Sequence, residues 1–461
     1  MHASALLRTK MINAGHDVQG GLRRVLGPLD LTLLGIGAII GAGIFVLTGV
    51  AAATKAGPAI VLSYVIAGCA CAFAAMAYAE LAAAIGGCGS AYGYSYAGMG
   101  ELVAWVIGWD LILEYSVAVS AVAIGWSGYA NAALKAVGLG LPADLLKSPL
   151  EGGLVNLPAA VIVLVLGVLL AVGVRESARA NAAMVFIKLL AIAVFVAIAS
   201  SHVEPANWTP FTPFGWGGVM GGAALVIFAY LGFDAVSTAA EEARDPQRDL
   251  PIGILASLAV CTLLYILVAG LLTGVAHYST LNVADPVADV ILRLGYPWGA
   301  GLVAAGAIAG LTTVMLAMFY GLTRVFLAIA RDGLLPPLFA RVDRRTHTPL
   351  PVIIASGCVM AFIAGFTPID TVAKLVNLGT LAAFFLVSVG VLVLRRTHPD
   401  LPRPFRTPLT PLFPILGALS CLVLAASLPW QTWSAFGVWL AIGLVIYFTY
   451  SRHHSALAAD S

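Results

Sequence analysis

Two stretches decide the fold: GIGAIIGAGIF at residues 35–45 and GGAALVIFAYLGFDAVS at residues 221–237. Each is an apolar run of membrane-spanning quality broken up by glycine, and the second also carries an acid, Asp234. Glycine inside a helix weakens it and lets a backbone or a ligand come close. One such run alone is explained by small residues on a helix-packing face. A matched pair says more. Measured against the roughly 20 apolar residues that a helix needs to cross hydrocarbon, the chain predicts twelve spans. They lie near 31–53, 59–84, 101–128, 157–174, 178–200, 217–240, 251–274, 298–323, 350–367, 372–394, 411–428 and 433–450. The two interrupted runs are the first and sixth, so they cross in opposite directions. Interrupted helices at matching places in two oppositely oriented halves mark an inverted-repeat secondary transporter.

The rest of the chain agrees with a membrane class. Apolar side chains make up 61% of the 461 residues and charged ones 10%, against about 25% charge in soluble proteins. No room is left for a soluble catalytic domain of ordinary size, which excludes most enzymes and nucleic-acid binders. The net charge of +2 suggests no polyanionic partner. Cysteines 69, 71, 88, 261, 358 and 421 lie in or beside apolar runs without metal-binding spacing, and read as small buried hydrophobes.

Basic residues orient the chain, since Lys and Arg accumulate on the cytoplasmic side. With the first 30 residues inside, the inner set contains Arg8, Lys10, Arg23, Arg24, Arg175, Arg179, Arg244, Arg248, Arg324 and Arg331. Arg341, Arg344, Arg345, Arg395, Arg396, Arg403, Arg406 and Arg452 complete it. The outer set holds only Lys55, Lys135, Lys147, Arg293 and Lys374. Both termini are therefore expected in the cytoplasm, with no cleavable signal peptide. The expected organisation is a tail at 1–30, helices 1–5 at 31–200, their inverted repeat at 201–394, helices 11 and 12 at 395–450, and a tail at 451–461.

Charges inside the spans are costly and therefore informative. Asp110 and Glu114 stand four residues apart on one face of the third span; Asp110 is expected near enough to the inner boundary to be partly hydrated. Lys188 falls near mid-membrane in the fifth span, and Asp234 follows the break in the sixth. A buried bridge from Lys188 to Glu114 or Asp234 is one expectation; a proton-coupling role is the other, because a buried lysine changes its charge state readily. Glu80 reads as a partner for a loop arginine. The mixed-charge run EEARDPQRDLP at 241–251 reads either as a solvated loop or as part of a gate.

Several long motifs carry a family resemblance: GIGAIIGAGIFVLTG (35–49), YAEL (78–81), GSAYGYSYAGMGELVAWVIGWDLILEY (89–115), FAYLGFDAVSTAAEEARDPQRDLPIGI (228–254) and TRVFLAIARDGLLP (323–336). Nearly the whole chain resembles the amino acid/polyamine/organocation superfamily, and within it the bacterial relatives of the cationic amino acid transporters. The resemblance implies the leucine-transporter fold, an all-helical membrane architecture of two inverted five-helix repeats plus two further helices. It implies that the amides of Ala42 and Gly43 face a substrate carboxylate, while the carbonyls of Ile39, Phe228, Ala229 and Leu231 receive the ammonium. Ala42 stands where many relatives have a hydroxyl residue. Met318 stands where cation-preferring members look to have a small polar one, so a small neutral amino acid such as alanine is expected to be preferred to arginine.

The resemblance also implies that Lys188 takes the place of a sodium ion by reaching carbonyls of helix 1. Glu114 then matches a family acid of helix 3 and offers a carboxylate to exchange the coupling proton with Lys188; Asp234, read from the sequence itself, is the next candidate to carry that proton should Lys188 be structural. Thr312 and Thr313 are candidate neighbours, although threonine bonding its own helix is the simpler expectation. A proton-coupled amino acid symporter in the bacterial inner membrane follows, with no cofactor, no sodium, and only substrate and lipids as partners; no nucleic acid is expected and no protein partner is assigned. An amino acid or amine exchanger, uptake of cationic amino acids, and a non-transporting sensor remain alternatives. No HExxH or GxSxG motif points to an enzyme.

Overall fold

In the computed structural model, residues 8–9, 25–85, 90–136, 138–173, 178–239, 242–343, 345–346 and 348–459 are described. Lys10, Arg23, Arg24, Arg175, Glu241, Arg344 and Cys88 lie outside them. The described residues form an all-helical protein whose β structure is one isolated bridge, Leu26 with Ala243. The helices are α1 (Pro28–Ile39), α2 (Thr48–Ala51), α3 (Ile60–Ile85), α4 (Ser90–Gly98), α5 (Glu101–Ala136), α6 (Leu157–Val172), α7 (Ala178–Ala199) and α8 (Gly215–Val226). They continue with α9 (Ala235–Thr238), α10 (Pro246–Val275), α11 (Pro286–Arg293), α12 (Pro297–Arg331), α13 (Leu350–Phe366), α14 (Ile369–Thr397), α15 (Leu412–Ala426) and α16 (Trp430–Ile446).

Eight helical runs among the described residues are long and apolar enough to cross a membrane. Four shorter apolar helices accompany them: Pro28–Ile39, Leu157–Val172, Leu350–Phe366 and Leu412–Ala426. The outward faces carry Leu, Val, Phe and Trp, as hydrocarbon contact requires, and the polar side chains turn inward.

Local chemistry explains the helix ends. α1 starts with Pro28, whose missing N–H costs nothing in a first turn, and the Asp30 carboxylate accepts from the Gly27 N–H at 2.9 Å. α6 is capped at its start by Asn156, whose side chain accepts from the Ala159 N–H, and at its end by Gly173, left-handed at φ 89°.

Packing puts the two interrupted runs at the centre. α1 lies against α7, α9, α10 and α12, α10 also packs on α3, and α5 packs on α12 and α14. The approach to α1 and the exit from α9 are tied by backbone. Val25 and Leu26 N–H both donate to the Glu242 carbonyl, and Arg244 N–H donates to Leu26.

Glu80 on α3 holds the α14–α15 connection. Arg395 donates to both of its carboxylate oxygens, at 2.9 and 2.8 Å, and Arg403 lies 3.5 Å away. The Thr407 N–H adds a third bond at 2.7 Å. This is the loop-arginine pairing expected from the sequence, satisfied further by a backbone donor.

Candidate functional site

Both glycine-rich runs are broken helices. α1 ends at Ile39, and the chain bends at Ile40 and Gly41 before a π-helical turn at Gly43–Leu47. α8 ends at Val226 and tightens into a 3-10 turn at Ile227–Tyr230. Leu231 is extended at ψ 133° and Gly232 takes φ 113° before α9 begins. Few residues other than glycine adopt that φ. Each break removes backbone hydrogen-bond partners from neighbouring carbonyls, and side chains from other helices replace them.

The replacements are mainly tyrosines. The Tyr265 hydroxyl on α10 lies 2.8 Å from the Ile39 carbonyl and 2.7 Å from that of Ala229, so one group bridges the two breaks. Tyr64 on α3 and Thr48 both donate to the Gly43 carbonyl, and Tyr129 on α5 donates to Phe45. Asn377 on α14 donates at 2.8 Å to the carbonyls of both Ala224 and Leu225, where the α-helical ladder gives way to the 3-10 turn. Asn377 sits as a lone amide in an apolar run, a signal that sequence reasoning passed over. Tyr265 gives no such signal, because a tyrosine in an apolar run reads as core.

The breaks also interlock. A methyl group on Gly43 would fall 2.3 Å from Cα and Cβ of Ala229, and one on Gly232 would fall 2.8 Å from the Ala38 carbonyl carbon. Gly43 therefore touches the opposite break directly. Ile39, Ala42, Gly43, Phe228, Ala229 and Leu231 are all buried around this junction. The Phe228 carbonyl also accepts from the Leu231 N–H at 3.2 Å.

One stripe of α12 completes the surroundings. Gly310, Val314 and Met318 recur every four residues and share a face. Gly310 packs on the Lys188 stem, since a methyl there would meet Cε at 2.9 Å; Val314 faces Gly41. Met318, 8% exposed, follows one turn further. Thr312 and Thr313 bond to their own helix at Ile308 and Gly310, and Thr312 also accepts from the Trp126 indole.

Lys188 is fully buried on α7, and its ammonium donates to the Gly37 carbonyl on α1 at 2.5 Å. Asp234, at the start of α9, accepts from the Tyr115 hydroxyl at 3.2 Å and from the Gly232 N–H at 3.3 Å. Glu114, buried on α5, stands one helical turn from Asp110 and next to Tyr115. Asp110 is 2% exposed, which corrects the expectation of partial hydration; its carboxylate is closed off by α14 at Gly379.

Over residues 26–449 the sequence matches the family described as amino acid permease. The chain belongs to this family. The permease is 52% identical over 441 residues to the branched-chain amino acid permease of Bacillus subtilis, covering 95% of both chains. It is 49% identical over 458 residues to the methylthioribose transporter of the same organism, covering 98% of this chain and 99% of the relative. It is 36% identical over 410 residues to a vacuolar cationic amino acid transporter of Arabidopsis thaliana, covering 86% and 68%. The superfamily resemblance seen in the motifs is thus shown, and the protein is a multi-pass membrane permease.

Proposed function

We propose that this permease is a proton-coupled symporter of neutral amino acids. It works by alternating access on a twelve-helix leucine-transporter fold with both termini in the cytoplasm. One observation carries the reading: the Ile39 and Ala229 carbonyls, freed by two separate helix breaks, converge on a single hydroxyl, Tyr265. A tyrosine has one proton to donate between two acceptors. An amino acid's ammonium has three, so converging carbonyls of this kind suit it well.

In this mechanism Ile39, Phe228, Ala229 and Leu231 offer carbonyls to the ammonium, and Ala42 and Gly43 offer amides to the carboxylate. Recognition then reads the part common to all amino acids. Met318 fills space that a long cationic tail needs, which favours alanine and other uncharged side chains. The Lys188 ammonium holds α1 through Gly37. When it gives up its proton, it keeps only a weaker neutral donor, and α1 is released; each protonation state favours a different conformation. No sodium ion is needed, and Glu114 and Asp234 exchange the coupling proton.

A second reading, uptake of methylthioribose, is favoured by the relative that carries that name and is 49% identical. Methylthioribose has neither ammonium nor carboxylate, so the two readings separate cleanly. Purified protein in proteoliposomes is supplied with labelled alanine, leucine, arginine or methylthioribose, with and without an inward proton gradient. Gradient-driven accumulation of alanine or leucine supports the symport reading. Uptake of methylthioribose alone, or amino acid uptake indifferent to the gradient, overturns it.

A further inference from the structure

Asp110 is the buried charge that this mechanism leaves unused. Both of its carboxylate oxygens are buried and have no hydrogen-bond partner among the described residues, and Oδ1 lies 2.6 Å from where a methyl on Gly379 would sit. The carboxyl group thus rests on bare helix backbone of α14, in a space that only glycine leaves open. Its neighbour one turn along α5, Glu114, has a third such oxygen, Oε2. An ionised carboxylate without partners in such a place costs several kcal/mol, whereas a neutral acid costs much less.

Among the described residues, no positive group on the helices packed against α5 is paired with it. α6, α13 and α16 contain no acid or base, and α4 contributes only tyrosines. On α14, Lys374 pairs with Asp370, Arg395 pairs with Glu80, and Arg396 is exposed. On α12, Arg324 and Arg331 are exposed. Toward the helix breaks, Asp234 accepts from the hydroxyl of Tyr115, the residue next to Glu114. Asp110 stands one helical turn from Glu114 on α5, nearer its Glu101 end.

We infer that Asp110 carries a proton in this conformation and is the station after Glu114 on the route by which the coupling proton leaves the helix breaks. The inference rests on the symport reading. The proton passes between carboxyl groups as Glu114 and Asp110 alternate between neutral and ionised forms. Opening of the Glu101 end of the helix bundle to water then lets Asp110 release it. Asp110 acts through Glu114 and touches no substrate.

The test compares the unaltered protein with Asp110→Asn, which copies the neutral acid but holds no transferable carboxyl proton. Asp110→Asn should keep alanine counterflow close to the parent's, while accumulation driven by a proton gradient falls by about a hundredfold. In the unaltered protein, dicyclohexylcarbodiimide, which attacks protonated carboxyl groups in apolar surroundings, should modify Asp110, with a yield that falls as pH rises. Accumulation in Asp110→Asn equal to that of a gradient-responsive parent overturns the inference and leaves the symport reading standing. A parent that ignores the gradient overturns both. If Asp110→Asn does not fold, the labelling decides, and absence of a carbodiimide adduct on Asp110 overturns the inference.

Discussion

Gly43 and Ala229 are in direct backbone contact: there is no room for even a methyl group between the two helix breaks. A side chain at Gly43 would strike the opposite break and force the two apart. Gly43→Ala should therefore already be harmful, lowering stability by about 1–3 kcal/mol through overpacking and abolishing uptake. Thermal unfolding in detergent alongside alanine uptake checks this, and Gly43→Ala with the parent's melting temperature and transport would refute it.

Tyr265 tests whether the bridge between the breaks matters for binding. Tyr265→Phe keeps the ring packed against Tyr64 and Tyr230 and removes only the hydroxyl. The loss of a hydrogen bond worth about 1 kcal/mol at the junction should lower the melting temperature and raise the KM for alanine roughly fivefold. A scintillation binding assay on the same variant separates weaker binding from slower turnover.

The breaks, the buried lysine and the acids were legible in the sequence because each is an exception to an apolar run. Glycine at 41, 43 and 232, Lys188, Glu114 and Asp234 all stand out for that reason. Tyr265, Tyr64 and Tyr129 were not legible, since their ring carbons fit an apolar span and only the third dimension shows which carbonyl each hydroxyl meets. Asp110 misled for a related reason. Its depth along α5 was readable, but the glycine that seals it lies on α14, some 270 residues later in the chain.

Met318 occupies the α12 face that holds Val314 against Gly41. Met318→Ser removes most of that bulk and leaves a small hydroxyl, so larger or cationic amino acids should compete better against labelled alanine, by roughly tenfold. Arginine outcompeting alanine in the unaltered protein would show that this side chain does not set the size limit.

Glu80 anchors the α14–α15 connection through Arg395, Arg403 and the Thr407 N–H. Glu80→Ala leaves Arg403, which is largely buried, without its counter-charge. Breaking a buried pair in this way costs roughly 3–5 kcal/mol. The melting temperature should drop sharply, whereas the alanine affinity of the remaining folded protein should be unaltered. An unchanged melting temperature would mean that the loop is held by Arg403's own bonds to the Leu394, His398 and Leu401 carbonyls.

Lys188 provides the most demanding test, because its ammonium ties α7 to α1 at Gly37, two residues before the break. A charge buried this deeply persists only with good acceptors around it, and the Gly37 carbonyl on the last turn of α1 is a strong one, lying at the partly negative end of that short helix. Loss of the proton removes the charge and weakens the bond, so the hold on α1 depends on protonation. Lys188→Ala should eliminate proton-driven accumulation, and α1 should become more mobile, read as faster amide exchange over residues 28–39. Lys188→Arg keeps a donor that does not deprotonate, and should hold α1 in place while still failing to accumulate alanine. The pair of variants separates the two roles. If Lys188→Arg accumulates alanine as the parent does, Lys188 is a structural tie, and Asp234 and the acids of α5 couple the proton without it.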